Sequence, residues 1–285
     1  TAFQTENALK GGQSRRIIPM KLQQIRNAAL RISYAGKIFL TDPWLAGKGA
    51  MGTIASTPFR CRYPEQEHLP MPLCDLPMPV EKVLEGVDAC IVTHVHPDHI
   101  DMAADGTVGA MLPKNMPVFV QSDADAAVLR RSGFARVELL SETSAFGDIR
   151  LVKTPGLHGT EQPCGPSCGV VFRHPAEPTL YVAGDTIWFD GVAATLAACR
   201  PDVIVLNACA AELVDYGRLI MDDADVEKVC AACPEARVIV SHMDTVAHAS
   251  ITRASMRERL ARRGLSDRVL MPDDGETYDF PGRSA

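Results

Sequence analysis

The chain has 285 residues, 46% of them hydrophobic and 22% charged, which is enough apolar material for a sizeable core and excludes a disordered chain. Its formal net charge of -6 argues against an affinity that rests on neutralising nucleic-acid phosphates. No apolar run reaches the roughly 18 residues of a membrane span, and the first residues lack the order of a signal peptide, so a cytoplasmic location is expected.

Residues 1 to 19 are expected to be an added, tag-like or poorly ordered extension, because Met20 directly precedes the first strand-like segment. Residues 20 to 285 then form a single domain. Short apolar stretches at Leu22 to Asn27, Ala28 to Tyr34 and Lys37 to Thr41, separated by turn residues such as Ala35-Gly36, predict an opening antiparallel meander. From Ala46 to Pro79 the composition turns to Pro, Gly and Met without a period, which reads as a long surface loop of the kind that shapes a substrate mouth. Val87 to Thr93 is a compact apolar run fit for a buried strand.

Beyond it the pattern alternates. Strands are expected at Val118 to Gln121, Arg136 to Leu139, Ile149 to Lys153, Gly169 to Arg173, Thr179 to Ala183, Val203 to Leu206 and Val238 to Ser241. Helices are expected at Ala124 to Arg131, capped by Asp123 and stopped by Gly133, and at Val192 to Cys199, Asp223 to Cys233 and Ile251 to Arg263, the last with Ser250 as N-cap. Strand runs followed by helices, twice over, suggest an α/β (α+β) fold of two half-units packed helix, sheet, sheet, helix.

The segment Thr93-His94-Val95-His96-Pro97-Asp98-His99 follows a buried strand, so its side chains project from a sheet edge. Imidazole and carboxylate suit zinc, manganese or iron, and three His with one Asp exceed what one metal takes from one loop. Two metals a few Å apart are implied, His94 and His96 facing one and Asp98 and His99 the other. A His-rich turn that merely caps a helix is the plainer alternative. Against it, six of the eight histidines (His94, His96, His99, His158, His242 and His248) lie in this loop or close after another expected strand.

On these motifs the chain resembles the metallo-β-lactamase superfamily, whose five signals appear in order. They are Asp42 in Leu40-Thr41-Asp42-Pro43, the His94 to His99 run, His158 in Pro155-Gly156-Leu157-His158-Gly159, Asp185 in Ala183-Gly184-Asp185-Thr186 and His242 in Val240-Ser241-His242. The resemblance spans about residues 20 to 280 and implies a four-layer αββα sandwich. It implies one metal held by His94, His96 and His158, another by Asp98, His99 and His242, a bridging Asp185, and Asp42 orienting a ligand imidazole or serving only as a turn residue. Two divalent ions follow, zinc or manganese first, with iron a further candidate. Asp42-Pro43-Trp44-Leu45, Gly184-Asp185-Thr186-Ile187-Trp188 and the Arg200 to Asn207 segment look closest to the branch around L-ascorbate-6-phosphate lactonase. That branch implies a metal-dependent hydrolase using a metal-bound hydroxide on a lactone, ester or phosphodiester.

Asp98 and His248 are the candidate catalytic residues; His248 is either a donor to the substrate oxygen or a helix-end His on backbone. A non-haem iron oxidoreductase on the same ligand frame, or a metal-binding protein without turnover, are the alternatives; the flavin-linked diiron relatives usually have Glu where this chain has His96. The expected partner is a small molecule, anionic or not, with no nucleic acid and no membrane span, and a homo-oligomer is left open. The nine cysteines, odd in number and scattered, read as reduced thiols. Cys209 is left outside the metal shell, because Asp185 already fills its signal. Cys230 and Cys233 have redox spacing but sit late in an expected helix, and the Arg253 to Arg263 run reads as a solvated helix face.

Overall fold

A computed structural model describes residues 19–283. The extension expected over residues 1 to 19 falls almost wholly outside the described residues. The first half runs β1 (Met20–Arg26), β2 (Ala29–Tyr34), β3 (Lys37–Thr41), α1 (Val80–Leu84), β4 (Ala89–Val92), β5 (Pro117–Val120), α2 (Asp123–Arg131) and β6 (Arg136–Leu139). The second half starts with β7 (Ala145–Phe146), β8 (Ile149–Pro155), β9 (Cys168–Arg173), β10 (Leu180–Val182), α3 (Asp190–Cys199) and β11 (Val203–Asn207). It continues with β12 (Glu212–Leu213), β13 (Gly217–Arg218), α4 (Asp223–Ala232), β14 (Arg237–Ser241), α5 (Arg253–Arg262), β15 (Val269–Leu270) and β16 (Thr277–Phe280).

Two seven-stranded sheets result, ordered β16-β1-β2-β3-β4-β5-β6 and β15-β14-β11-β10-β9-β8-β7. The inward faces of both meet in one core that includes Leu22, Ile32, Phe39, Leu151, Val170 and Phe172. There the Phe172 ring stands edge-on to Phe39 at 5.2 Å and tilted against Tyr34 at 5.6 Å. A second core, with Leu129 and Ala126 of α2, covers the outer face of the first sheet. A third, with Leu196, Val229 and Leu260 of α3, α4 and α5, covers the other sheet. The layers are therefore helix, sheet, sheet, helix, as expected. β4 and β11 lie buried along their whole length, which is why both read as unbroken apolar runs.

Several expectations are corrected. Ser122, not Asp123, caps α2, accepting from the Asp125 amide, and Thr252, not Ser250, caps α5, accepting from the Ser255 amide. In each case the true cap is the extended residue whose oxygen reaches back over the first turn. The long loop from Ala46 contains a one-turn 3-10 helix, Pro64–His68, and is followed at once by α1. The short strands β7, β12, β13, β15 and β16 were not expected. β16 completes the first sheet by pairing antiparallel with β1, Met20 opposite Phe280. No helix among the described residues is long and apolar enough to cross a membrane.

Candidate metal centre

β3 is parallel to β4 in the first sheet, and β10, β11 and β14 are parallel in the second, with β8 two antiparallel steps from β10. The C-terminal ends of these strands therefore share one edge of the sandwich. Asp42 follows β3, the His94 to His99 loop follows β4, His158 follows β8, Asp185 follows β10 and His242 follows β14. Backbone in the left-handed region shapes three of these exits, at Asp42 (φ 42°), Gly184 (φ 67°) and His242 (φ 66°). At Gly184 a side chain would run into the Cys168 carbonyl, so the strand can deliver Asp185 only with glycine before it.

All seven expected ligands converge. Ligand atoms of His94, His96 and His158 lie within 4.8 Å of one another, as do those of His94, His99 and Asp185, and those of Asp98, His99 and His242. Asp185 Oδ2 sits at the middle, 3.2 Å from Nε2 of His99, 3.8 Å from Nε2 of His158 and His242, and 3.9 Å from Nε2 of His94. Its other oxygen accepts from Asn207 Nδ2 at 2.6 Å, which turns Oδ2 toward the imidazoles.

Each imidazole has a polar group against its far side. His158 Nδ1 donates to the Leu219 carbonyl at 3.1 Å, and His96 Nε2 donates to the Cys164 carbonyl at 2.8 Å. His94 Nδ1 lies 3.1 Å from the Thr93 hydroxyl, His99 Nδ1 3.1 Å from Asp42 Oδ2, and His242 Nδ1 3.6 Å from Cys209 Sγ. Asp42 is itself fixed by the Thr93 amide and hydroxyl, both at 2.8 Å, and faces His99 at ion-pair distance without a hydrogen bond between them. One nitrogen engaged outward and one facing the middle is how ligand histidines are held. The inward His94 Nε2 is buried without a hydrogen-bond partner, a cost that a cation would remove. The donor set, five imidazoles and two carboxylates, is that of divalent transition metals, so the residues fit the implied ions.

Charge supports the same conclusion. Burial disfavours a protonated His99, but Asp185, Asp42 and Asp98 outweigh it and push its pKa up to about 10. Burial would likewise raise the Asp185 and Asp98 carboxyls, yet the surrounding imidazoles hold both well below the ordinary range. His94 is pushed down, first by burial and then by its neighbouring imidazoles. This buried cluster of carboxylates and imidazoles suits a bound cation.

His248 is brought to the same place. Its Nε2 lies 4.0 Å from Asp98 Oδ2 and its ring stacks on Phe59, centroids 4.3 Å apart. It lines a cavity of about 320 Å³ whose floor includes His96, Asp98, His158 and Asp185, and whose upper wall includes Met51, Ile54 and Phe59 of the Ala46 to Pro79 loop. Sequence reasoning missed Asn207, Thr93, Phe59 and the carbonyls of Leu219 and Cys164. Asn207 had a signal, a polar residue ending the apolar run of β11; a carbonyl has none. Cys209 stays behind His242, and all nine cysteines are free thiols.

The beta-lactamase superfamily domain matches residues 39–243, so the chain belongs to that family. The UPF0173 protein YddR of Bacillus subtilis (strain 168) is 41% identical over 265 residues, covering 92% of this chain and 100% of the relative. The UPF0173 metal-dependent hydrolase of Koribacter versatilis (strain Ellin345) is 26% identical, covering 66% of this chain and 71% of the relative. Among solved structures, the isothiocyanate hydrolase from Delia radicum gut bacteria superposes with a TM-score of 0.83 at 39% identity, covering 92% of this chain and 100% of the other.

Proposed function

We propose that this chain is a metal-dependent hydrolase of small uncharged electrophiles bearing an apolar group, isothiocyanates first among them. The observation that carries this reading is the cavity: carboxylates and imidazoles converge on its floor, while among the described residues its lining holds neither Lys nor Arg. A substrate with its own anionic anchor, such as a sugar phosphate, would ordinarily meet a guanidinium or ammonium beyond the reacting centre. Lactones and neutral esters fit the same cavity; a phosphodiester has less support. The activity of the relative from Delia radicum gut bacteria, isothiocyanate hydrolysis, fits this chemistry.

His94, His96 and His158 would hold one ion and Asp98, His99 and His242 the other, with Asp185 between. Divalent cations held there would supply Lewis acidity and lower the pKa of water at the site. With an isothiocyanate, water oxygen bonds to the central carbon and a proton reaches nitrogen; the carbon–nitrogen bond then breaks as nitrogen takes a second proton. Water and substrate thus become an amine and carbonyl sulfide. The Asp98 carboxylate, at the cavity floor, is placed to take a proton from the attacking water. Burial lowers the His248 pKa to about 4, so the ring is neutral at pH 7 and offers an N–H to the atom that gains charge. The upper wall presents Met51, Ile54, Phe59 and Leu219 to the substrate. The shared core of the two sheets supports reading residues 20–285 as one domain.

Protein loaded with zinc, manganese or iron and incubated with 2-phenylethyl isothiocyanate is expected to release one amine per isothiocyanate consumed, and a chelator to stop it. Binding of two ions per chain with no turnover of isothiocyanates, lactones or esters contradicts the reading.

A further inference from the structure

The upper wall of the cavity is built from two segments far apart in sequence. Met51, Ile54, Thr57 and Phe59 come from the loop after β3, and Ala211 and Leu219 flank the β12–β13 hairpin. These segments are stapled together. Phe59 pairs antiparallel with Leu213, the Val214 amide donates to the Pro58 carbonyl at 2.8 Å, and the Arg60 amide donates to the Glu212 carbonyl at 2.9 Å. An Arg60–Glu212 ion pair at 3.1 Å runs alongside. The Phe59 ring is therefore held on a short strand-like ladder, and its face is stacked on His248. The same hairpin reaches the centre below, because the carbonyl of Leu219 orients His158.

We propose that Phe59 is the specificity-determining residue of this site: the slot between Phe59, Ile54, Met51 and Leu219 receives the apolar tail of the substrate and selects long alkyl and arylalkyl groups over methyl. The inference rests on the hydrolase reading of the cavity. The slot ends at the reacting centre, so a tail lodged against Phe59 sets how far the electrophilic carbon reaches toward Asp98 and His248. A fully buried methylene adds about fourfold to binding, so a gradient across tail length is the signature of such a slot.

The test is a series of methyl, butyl and 2-phenylethyl isothiocyanates, with the matching N-alkylureas as unreactive probes of the metal-loaded protein. In the wild-type chain kcat/KM is expected to rise about tenfold or more from methyl to butyl, and urea affinity to rise in parallel. Phe59→Ala is expected to flatten both gradients to within about threefold, whatever its absolute activity. Thr57→Phe, at the exposed rim, crowds the slot and is expected to reverse the order, methyl over 2-phenylethyl. A flat wild-type gradient, or a Phe59→Ala protein that keeps the full slope, overturns the proposal. Should no isothiocyanate be turned over, the substrate reading fails instead. The urea affinities then decide the slot alone: rising in wild type and flat in Phe59→Ala upholds it, and any other pattern overturns it.

Discussion

At the residue scale, the centre depends on side chains that face outward as much as on those that face in. Asp42 joins the Thr93 amide and hydroxyl to the far nitrogen of His99, so Asp42→Asn is expected to weaken metal binding about 10- to 100-fold while the fold persists. Metal titration followed by competing chelator would measure this, and an unchanged affinity would reduce Asp42 to a turn residue. If Asp185 bridges two ions as proposed, Asp185→Asn is expected to leave fewer than two ions per chain by elemental analysis. The residues that converge were legible because ligand chemistry is restricted to few residue types: His94, His96, Asp98 and His99 stand in one loop, and each remaining signal ends an apolar run. What holds the ligands was not legible. The carbonyls of Leu219 and Cys164 exist at every residue, and only folding chooses which of them meets an imidazole.

At the element scale, caps and half-buried ion pairs set the stability of the outer helices. Ser122→Ala and Thr252→Ala each remove the oxygen that accepts the third amide of α2 or α5, and each is expected to cost about 1 kcal/mol in denaturant unfolding. Both caps were misplaced from sequence, since Ser122-Asp123 and Ser250 with Thr252 offer adjacent capping residues and only backbone geometry selects one. Asp223 at the start of α4 accepts from Arg259 and Arg263 of α5. Burial alone would raise its carboxyl, but the two guanidiniums hold it below the ordinary range. Its contribution is thus complete above the aspartate's unfolded pKa and is lost as pH falls through the lowered folded value. Asp223→Asn is expected to cost about 1 kcal/mol at pH 7, since Arg259 is half exposed, and progressively less as pH falls below the ordinary aspartate range, as a series of unfolding curves across pH would show.

The loop after β3 was read correctly as a cavity wall, but its anchor was invisible. Arg26 is fully buried, lies 5.1 Å from the Trp44 ring centroid and donates to the carbonyls of Cys74, Trp44 and Ala46. Nothing in an isolated strand pattern ending in Arg foretells a guanidinium turned inward. Arg26→Met strands three carbonyls and is expected to cost about 3 kcal/mol or more, with faster amide exchange over residues 44–76.

At the scale of the whole molecule, the two sheets meet along one core and carry the ligands on one shared edge, so the centre closes only when both halves are packed. The longer strands were legible from apolar runs and alternation, whereas β16, with Thr277 and Asp279 exposed at a sheet edge, and the two-residue β12 and β13 carry too little pattern to be read. Because His94 comes from one sheet and Asp185 and His242 from the other, a metal held by this cluster would tie the halves together. Chelation is expected to lower the unfolding free energy by about 3 kcal/mol for each bound ion relative to protein held at a hundredfold excess of ion over its dissociation constant. The most direct measurement is a crystal structure of the metal-loaded protein with anomalous scattering. Two anomalous peaks flanking Asp185 Oδ2, one against His94, His96 and His158 and the other against Asp98, His99 and His242, are the predicted result. Ions found elsewhere, or a loaded protein with this cluster empty, would contradict the account.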